Sequence, residues 1–426
     1  MPPARTLPES SAIESVRLAS PHAIPELTSE PGTTRDVLPW RVVHVCEHAR
    51  DVLAVVECEL VVGMRPFIVT ARGSGTASKY YRSPKERIQT TSLLQAWSDV
   101  RTWKRLLIES DPEGTAEVVH AHSFAAGMAG VRADAPLVYD IHPSNASMTT
   151  EDNSWLGRSF RVAEQFVLTS AGAVIVHSQD SWRECQRLGV EETNLFYIPQ
   201  PVDPGWLESV PDRHWIEQRL GGNGATTIFF APRLSKGPER DLQISALLKA
   251  FALTHDENDN VRLVFLDDTD AESIRRCAEA QNIHNLVHLL PQAERELIFA
   301  SCDIVIACES SDDDCQPLLS IEALARGRAL LVCDKKKWQG SVPLRSCLWF
   351  RPEEPRELGH RMAFLARNPD FCRLLSSHGQ REVVTTRSPE VVGRLYDHVY
   401  RQVVAKKKQR DRKPNEVRFI PLQANL

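Results

Sequence analysis

From Trp40 onward the chain alternates short β-branched runs with stretches of helical periodicity, and that alternation decides what it can fold into. It opens with "RVVHVCEH", "DVLAVVECELVVGM" and "RPFIVTARG", read as strand, helix and strand. Further strands are expected at "EVVHAH" (117–122), "PLVYDIH" (136–142), "AVIVHS" (173–178) and "NLFYIPQ" (194–200), separated by amphipathic segments such as "RSFRVAEQFVLTSAG". Strands joined through helices pair in parallel and are covered on both faces. A break follows at "QPVDPGWLESVPD", and "GGNGA" (221–225) precedes a fresh strand, "TTIFF", so a domain boundary is expected near residues 205–220. The second half repeats the pattern through "VRLVFLDD", "ESIRRCAEAQ", "LVHLLP", "ERELIFASC", "DIVIACE" and "ALLVCDK". Two open α/β domains in series leave a cleft between the carboxyl ends of their strands, where such folds hold ligands.

The 426 residues suffice for two such cores. Residues 1–39 hold seven prolines with many Ser, Thr and Glu, the composition of a flexible leader. The reading therefore runs leader (1–39), N-terminal domain (40–210), C-terminal domain (220–388), closing helix (389–405) and basic tail (406–426). No apolar run approaches the ~20 residues of a membrane span, and the start lacks the basic-then-apolar layout of a secretory signal, so a cytoplasmic protein is expected. A net charge of −5 leaves no general footprint for nucleic acid. The run "KKKQRDRK" (406–413) reads as a solvated tail. Its second reading is peripheral contact with an anionic lipid surface, which would be the inner membrane face. Ten cysteines form no CxxC pair, and Cys302, Cys308 and Cys333 lie in or beside apolar stretches, as reduced structural thiols do.

The stretch "DCQPLLSIEALARG" (314–327) carries the strongest site signal. Pro317 suits a first helical turn, so a helix is expected from about Gln316, with Leu318 and Leu319 in that turn and its free amides available to an anion. Were the whole stretch helical, Asp314 and Glu322 would stand ~12 Å apart along the axis. That exceeds the roughly 5 to 9.5 Å between the carboxyl pairs of glycoside hydrolases. The pair suits instead the two hydroxyl-bearing ends of one elongated ligand with an anionic middle. A nucleotide sugar has that shape.

Here the sequence resembles a family 4 glycosyltransferase, a retaining enzyme of the GT-B fold with two Rossmann-like parallel-sheet domains facing across a cleft, over roughly residues 40–405. The family's E-x7-E motif falls on Asp314 and Glu322, which the resemblance assigns to donor-sugar hydroxyls and to the nucleotide ribose. In "FFAPRLSKGPERDL", Arg233 matches the arginine that holds the donor diphosphate. The family's lysine falls on Pro238, leaving Lys236 or Arg240 to supply that cation. Leu318 and Leu319 join the donor-binding set. His142, in "PLVYDIHP", matches the active-site histidine near the reacting sugar, and "YIPQPVD" (197–203) matches the interdomain linker. His48 and His122 are candidates for the acceptor or cleft. The resemblance further implies that the closing helix packs back toward the N-terminal domain.

The chain departs from the family pattern at "CEHARD" (46–51), which replaces a Gly-Gly loop and fills its space with side chains, and at Pro317, which removes a backbone donor. By alternation His120 and His122 face the same way, a start toward a metal site, but no third ligand stands at sensible spacing, and no metal or other cofactor is expected. What the resemblance implies is transfer of a sugar from a nucleotide-diphosphate co-substrate to a glycan, lipid or small-molecule acceptor, within carbohydrate biosynthesis. The alternative is a catalytically degenerate GT-B protein that binds a nucleotide or a partner glycosyltransferase without transfer. A nucleotide-sugar epimerase is a third reading. No GxGxxG follows an expected strand, which disfavours an NAD enzyme.

Overall fold

A computed structural model of the chain describes residues 40–48, 52–72, 81–82, 104–105, 107–108, 114–141, 155–202, 212–222, 226–232, 239–267, 271–307, 318–333, 346–351 and 354–411. Residues 39–426 form one compact unit; the expected leader lies outside the described residues. In chain order the first half contains β1 (Arg41–His48), α1 (Leu53–Val61), β2 (Arg65–Arg72), β3 (Tyr81–Arg82), β4 (Val118–Ala121), α2 (Phe124–Gly130), β5 (Leu137–Asp140), α3 (Trp155–Ser170), β6 (Ala173–Val176), α4 (Gln179–Arg187) and β7 (Leu195–Tyr197). The second half contains α5 (Arg213–Leu220), β8 (Thr227–Ala231), α6 (Glu239–Glu257), β9 (Val261–Asp267), α7 (Ala271–Ala280), β10 (Val287–Pro291), α8 (Arg295–Ser301), β11 (Ile304–Ala307), α9 (Leu318–Ala325), β12 (Ala329–Cys333), β13 (Leu348–Phe350), α10 (Pro355–Arg367), α11 (Pro369–Arg387) and α12 (Pro389–Asp411).

The strands make two sheets, ordered β3-β2-β1-β4-β5-β6-β7 and β10-β9-β8-β11-β12-β13, and every described pairing is parallel. Both start from the doubly wound order, in which the chain reverses direction across the sheet between its first and fourth strands. Those switch points fall at β1/β4 and β8/β11. Strands buried on both faces need no polar alternation, which explains why β8, β11 and β12 read as unbroken apolar runs.

Three corrections concern boundaries. The C-terminal core reaches back before residue 220, because α5 contributes Ile216 and Leu220 to it; Asp212 caps that helix through Trp215 N–H at 2.8 Å, and Gly221 closes it in the left-handed region. The closing helix runs to Asp411 rather than 405, since Lys406, Lys407, Lys408 and Arg410 are good helix formers and the basic residues near its end complement the helix dipole. Lys406 is not a free tail charge: its Nζ donates to the carbonyl of Thr193 and to Asn194 Oδ1 at 2.8 and 2.7 Å.

The N-terminal sheet buries both faces. Val43, Val45, Val119 and Tyr139 pack with α2 and α3 on one side, while Val42, Val118, Val138 and Ile175 pack on the other with α1 and α12. Helix α12 contributes Val392, Tyr396, Val399, Tyr400 and Val403, so the last described helix of the chain completes the core of the first domain. The approach of α12 to α1 is close enough that a Cβ on Gly393 would lie 2.3 Å from the Cys58 carbonyl oxygen. Between the two halves, Val202 N–H donates to the Arg387 carbonyl at 3.2 Å, and Arg387 Nη1 returns a bond to the Gln200 carbonyl at 3.2 Å. Burial pushes the Arg387 guanidinium below its ordinary range, against the hydrogen bond to Tyr197.

Candidate functional site

On the C-terminal domain, the site reading centres on α9, which follows β11 at the second switch point. Leu319 and Ile321 turn into the core, so a ligand could meet Leu319 only through its backbone amide. Glu322 lies on a different face of the helix and is half-buried. Arg295, the first residue of α8, donates from Nη2 to Glu322 Oε2 at 2.6 Å, and its guanidinium stands 5.2 Å from the Phe299 ring centroid. One carboxylate oxygen is thereby held by a charge-assisted bond from a neighbouring helix. Nothing in the sequence singles out Arg295; "ERELIFASC" reads only as an amphipathic helix, and pairing to a residue 27 positions on appears only once α8 and α9 are packed.

Arg233, Lys236, Pro238, Asp314, Pro317 and His142 lie outside the described residues. The backbone of His48 ends β1, opposite Arg72, and its side chain is likewise outside them, as is that of Leu318. Cys46 corrects the expectation that its side chain fills the space of a missing glycine loop. Its thiol turns into the core with Val52, Val56 and Ile68, because alternation puts Cys46 on the same face of β1 as Val42 and His44, and that face is buried.

His122 is a second correction. Rather than facing a cleft it is 4% exposed, inside a buried polar network on the α1/α12 face of the N-terminal sheet. The alternation that places Val42, Val118 and Val138 on that face places His44, His120, His122 and Asp140 there too, at the next positions along their strands. His44 Nε2 bonds Glu59 Oε2 of α1 at 2.8 Å, and His44 Nδ1 stands 3.0 Å from His122 Nε2. Tyr400 of α12 donates to Glu59 Oε1 at 2.5 Å and meets His120 Nδ1 at 2.8 Å. Asp140 Oδ1 meets His177 Nε2 at 2.7 Å, and Asp140 Oδ2 lies 3.4 Å from the Tyr396 hydroxyl, 3.5 Å from His120 Nε2 and 3.8 Å from His122 Nδ1.

His177 also bonds the Ile198 carbonyl through Nδ1 at 2.7 Å. Burial opposes charge on this ring, yet the Asp140 carboxylate and that carbonyl outweigh it and hold the imidazole above its ordinary range. His120 goes the other way: burial dominates and keeps it below. Burial, with the Glu59 carboxylate beside Tyr400 and the Asp140 carboxylate beside Tyr396, keeps both phenols protonated. The expectation that His120 and His122 lack a third partner also fails, because parallel pairing sets His44 opposite His120. The three imidazoles come from "RVVHVCEH" and "EVVHAH", and a histidine in each of two adjacent parallel strands was the signal available.

Both sheets and their order define a GT-B fold, and solved structures of that class superpose on nearly the whole chain. A glycosyltransferase from Rickettsia africae aligns with a TM-score of 0.68 at 11% identity, covering 86% of this chain and 99% of its own. Anabaena Alr3699/HepE, solved with UDP and glucose, gives 0.61 at 14% identity, covering 87% and 100%. Sucrose-phosphate synthase from Thermosynechococcus elongatus gives 0.61 at 15%, covering 86% and 100%. At such identities the likeness establishes the fold. Within it, residues 40–201 match the family model of the glycosyl transferase 4-like domain, which bears out the resemblance over the N-terminal half. No curated protein sequence matches the chain.

Proposed function

We propose that the chain is a glycosyltransferase that moves a sugar from a nucleoside-diphosphate sugar to an acceptor with retention of configuration. The observation that carries this reading is the E-x7-E-type helix α9 in a GT-B fold, with Glu322 held by Arg295 beside the second switch point. Glu322 grips the ribose, and Asp314 orients the donor sugar. The first amides of α9, at Leu318 and Leu319, face the diphosphate with Arg233 and Lys236, and these cations offset the charge that develops on the departing phosphate. His142 contacts the reacting sugar. The acceptor enters on the face the diphosphate leaves, which preserves the anomeric configuration. Such a reaction needs stabilisation and alignment more than covalent chemistry from the protein, and no catalytic metal.

The acceptor is a glycan, a lipid or a small molecule. Among the described residues no helix is long and apolar enough to cross a membrane. The reading places the protein in the cytoplasm, with the basic run 406–413 as the point of contact with an anionic membrane surface if the acceptor is a lipid.

The test is a panel of UDP-, GDP- and ADP-sugars with the purified chain, followed by binding and by slow donor hydrolysis, with anomeric configuration read by NMR. One donor should bind and hydrolyse, and Asp314→Ala should abolish turnover. No turnover by the unmodified chain, together with nucleotide affinity untouched by Asp314→Ala, would establish the degenerate binder instead. Donor isomerisation without acceptor would establish an epimerase.

A further inference from the structure

The ligand-capable atoms of His44, His120 and His122 all lie within 4.8 Å of one another, and all three side chains are buried. Buried imidazoles packed together are costly unless each ring nitrogen is paired. The hydrogen-bond pattern around them determines where their protons sit. Tyr400 gives its only proton to Glu59 Oε1, so toward His120 Nδ1 it can only accept, and that nitrogen carries the hydrogen. Glu59 Oε2 likewise takes the hydrogen of His44 Nε2. The remaining nitrogens, His44 Nδ1 and His120 Nε2, are therefore turned inward as lone pairs. His120 Nε2 is fully buried, and its nearest counter-charge, Asp140 Oδ2, stands at 3.5 Å, too far for a well-formed hydrogen bond. A lone pair facing a carboxylate oxygen calls for a cation between them.

We propose that His44, His120 and His122 form a structural site for a divalent first-row metal ion, zinc by preference, with Asp140, now 3.5 Å from His120 Nε2 and outside the cluster of three, closing in as fourth ligand. Three imidazole nitrogens and one carboxylate oxygen are a tetrahedral zinc donor set. Bonds of about 2.0–2.1 Å set such donors about 3.3 Å apart. The His44–His122 pair, at 3.0 Å, opens slightly on binding, and imidazole nitrogens now as much as 4.8 Å apart close toward that spacing. The outer partners are already in place: the Glu59 carboxylate on His44, the Tyr400 hydroxyl on His120 and His177 on Asp140, each orienting a ligand from behind. Asp140 and Glu59 also supply the negative charge that offsets the ion. Because Glu59 belongs to α1 and Tyr400 to α12, the ion would fasten the last described helix to the first domain's sheet. This site is separate from the donor site on α9 and does not depend on the proposed activity.

The experiment uses the full chain without a polyhistidine tag, stripped with a chelator and titrated with zinc, then with cobalt. Expected are one tightly held equivalent by elemental analysis, visible cobalt bands of tetrahedral intensity, and a melting temperature that rises with zinc. His120→Gln should abolish all three, whereas His284→Gln, an exposed control, should leave them unchanged. If His120→Gln does not fold, X-ray absorption on the wild-type zinc form decides, and it should show imidazole ligands in a four-coordinate shell. No stoichiometric binding, octahedral cobalt intensity, or binding that persists unchanged in folded His120→Gln would overturn the proposal.

Discussion

Tyr396 and Tyr400 stand one turn apart on α12, both fully buried, and their hydroxyls have different importance. Tyr400→Phe keeps the ring and its packing but deletes an oxygen that serves two buried groups, Glu59 at 2.5 Å and His120 at 2.8 Å. Glu59 keeps its bond to His44, while the His120 Nδ1–H is left without an acceptor. Leaving a buried polar group unsatisfied costs about 1–3 kcal/mol, and more for a charged one, so the two losses together come to about 2–6 kcal/mol. Tyr396→Phe removes only a long 3.4 Å contact to Asp140 Oδ2, and Asp140 retains His177 at 2.7 Å; the expected cost is about 1 kcal/mol or less. Urea unfolding of the two variants beside the wild type, with chelator present and a common slope, gives the difference directly. Tyr396→Phe equal to or worse than Tyr400→Phe, or Tyr400→Phe within about 0.5 kcal/mol of the wild type, would refute the account of the network.

Gly393→Ala forces a methyl against the Cys58 carbonyl and Val62, so α12 must move off α1; a loss of about 3 kcal/mol is expected in urea unfolding, and a neutral result would mean the helices are not packed as described. Burial, with Arg262 nearby, pushes His288 down to about 4, so the unfolded chain binds its proton more readily and stability should fall as pH drops from 6.5 toward 4; His288→Gln should flatten that part of the urea-stability profile. Arg295→Met removes the charge-assisted bond that holds Glu322 Oε2, and if that carboxylate grips a ribose, calorimetry should show about tenfold weaker nucleotide binding, about 1.4 kcal/mol, with the melting temperature nearly unchanged.

Strand and helix order could be read from the sequence because each element announces itself locally. The β-branched runs at β1, β4, β6, β8 and β11 are short, apolar and separated by helical periods. Two short strands leave no local signal: β3 has two residues and β13 has three, too few for a pattern. The neighbourhood of α5, rich in proline and acid, reads as linker, yet Ile216 and Leu220 have a core to enter. Glu322 could be picked out from its motif. Its partner Arg295 could not, since nothing in "RELIFAS" marks its one arginine as the partner of a residue in a later helix.

By itself, the sequence determined two parallel α/β units, the position of the helix that carries Glu322, and the shared facing of His120 and His122, because period and alternation act within a few residues. Only the tertiary structure decided that His44 completes a triad with them, that Glu59, Tyr396 and Tyr400 surround it, and that His122 is buried. Those contacts join residues up to 341 positions apart, and what brings them together is strand register and helix packing, which no local window of sequence encodes.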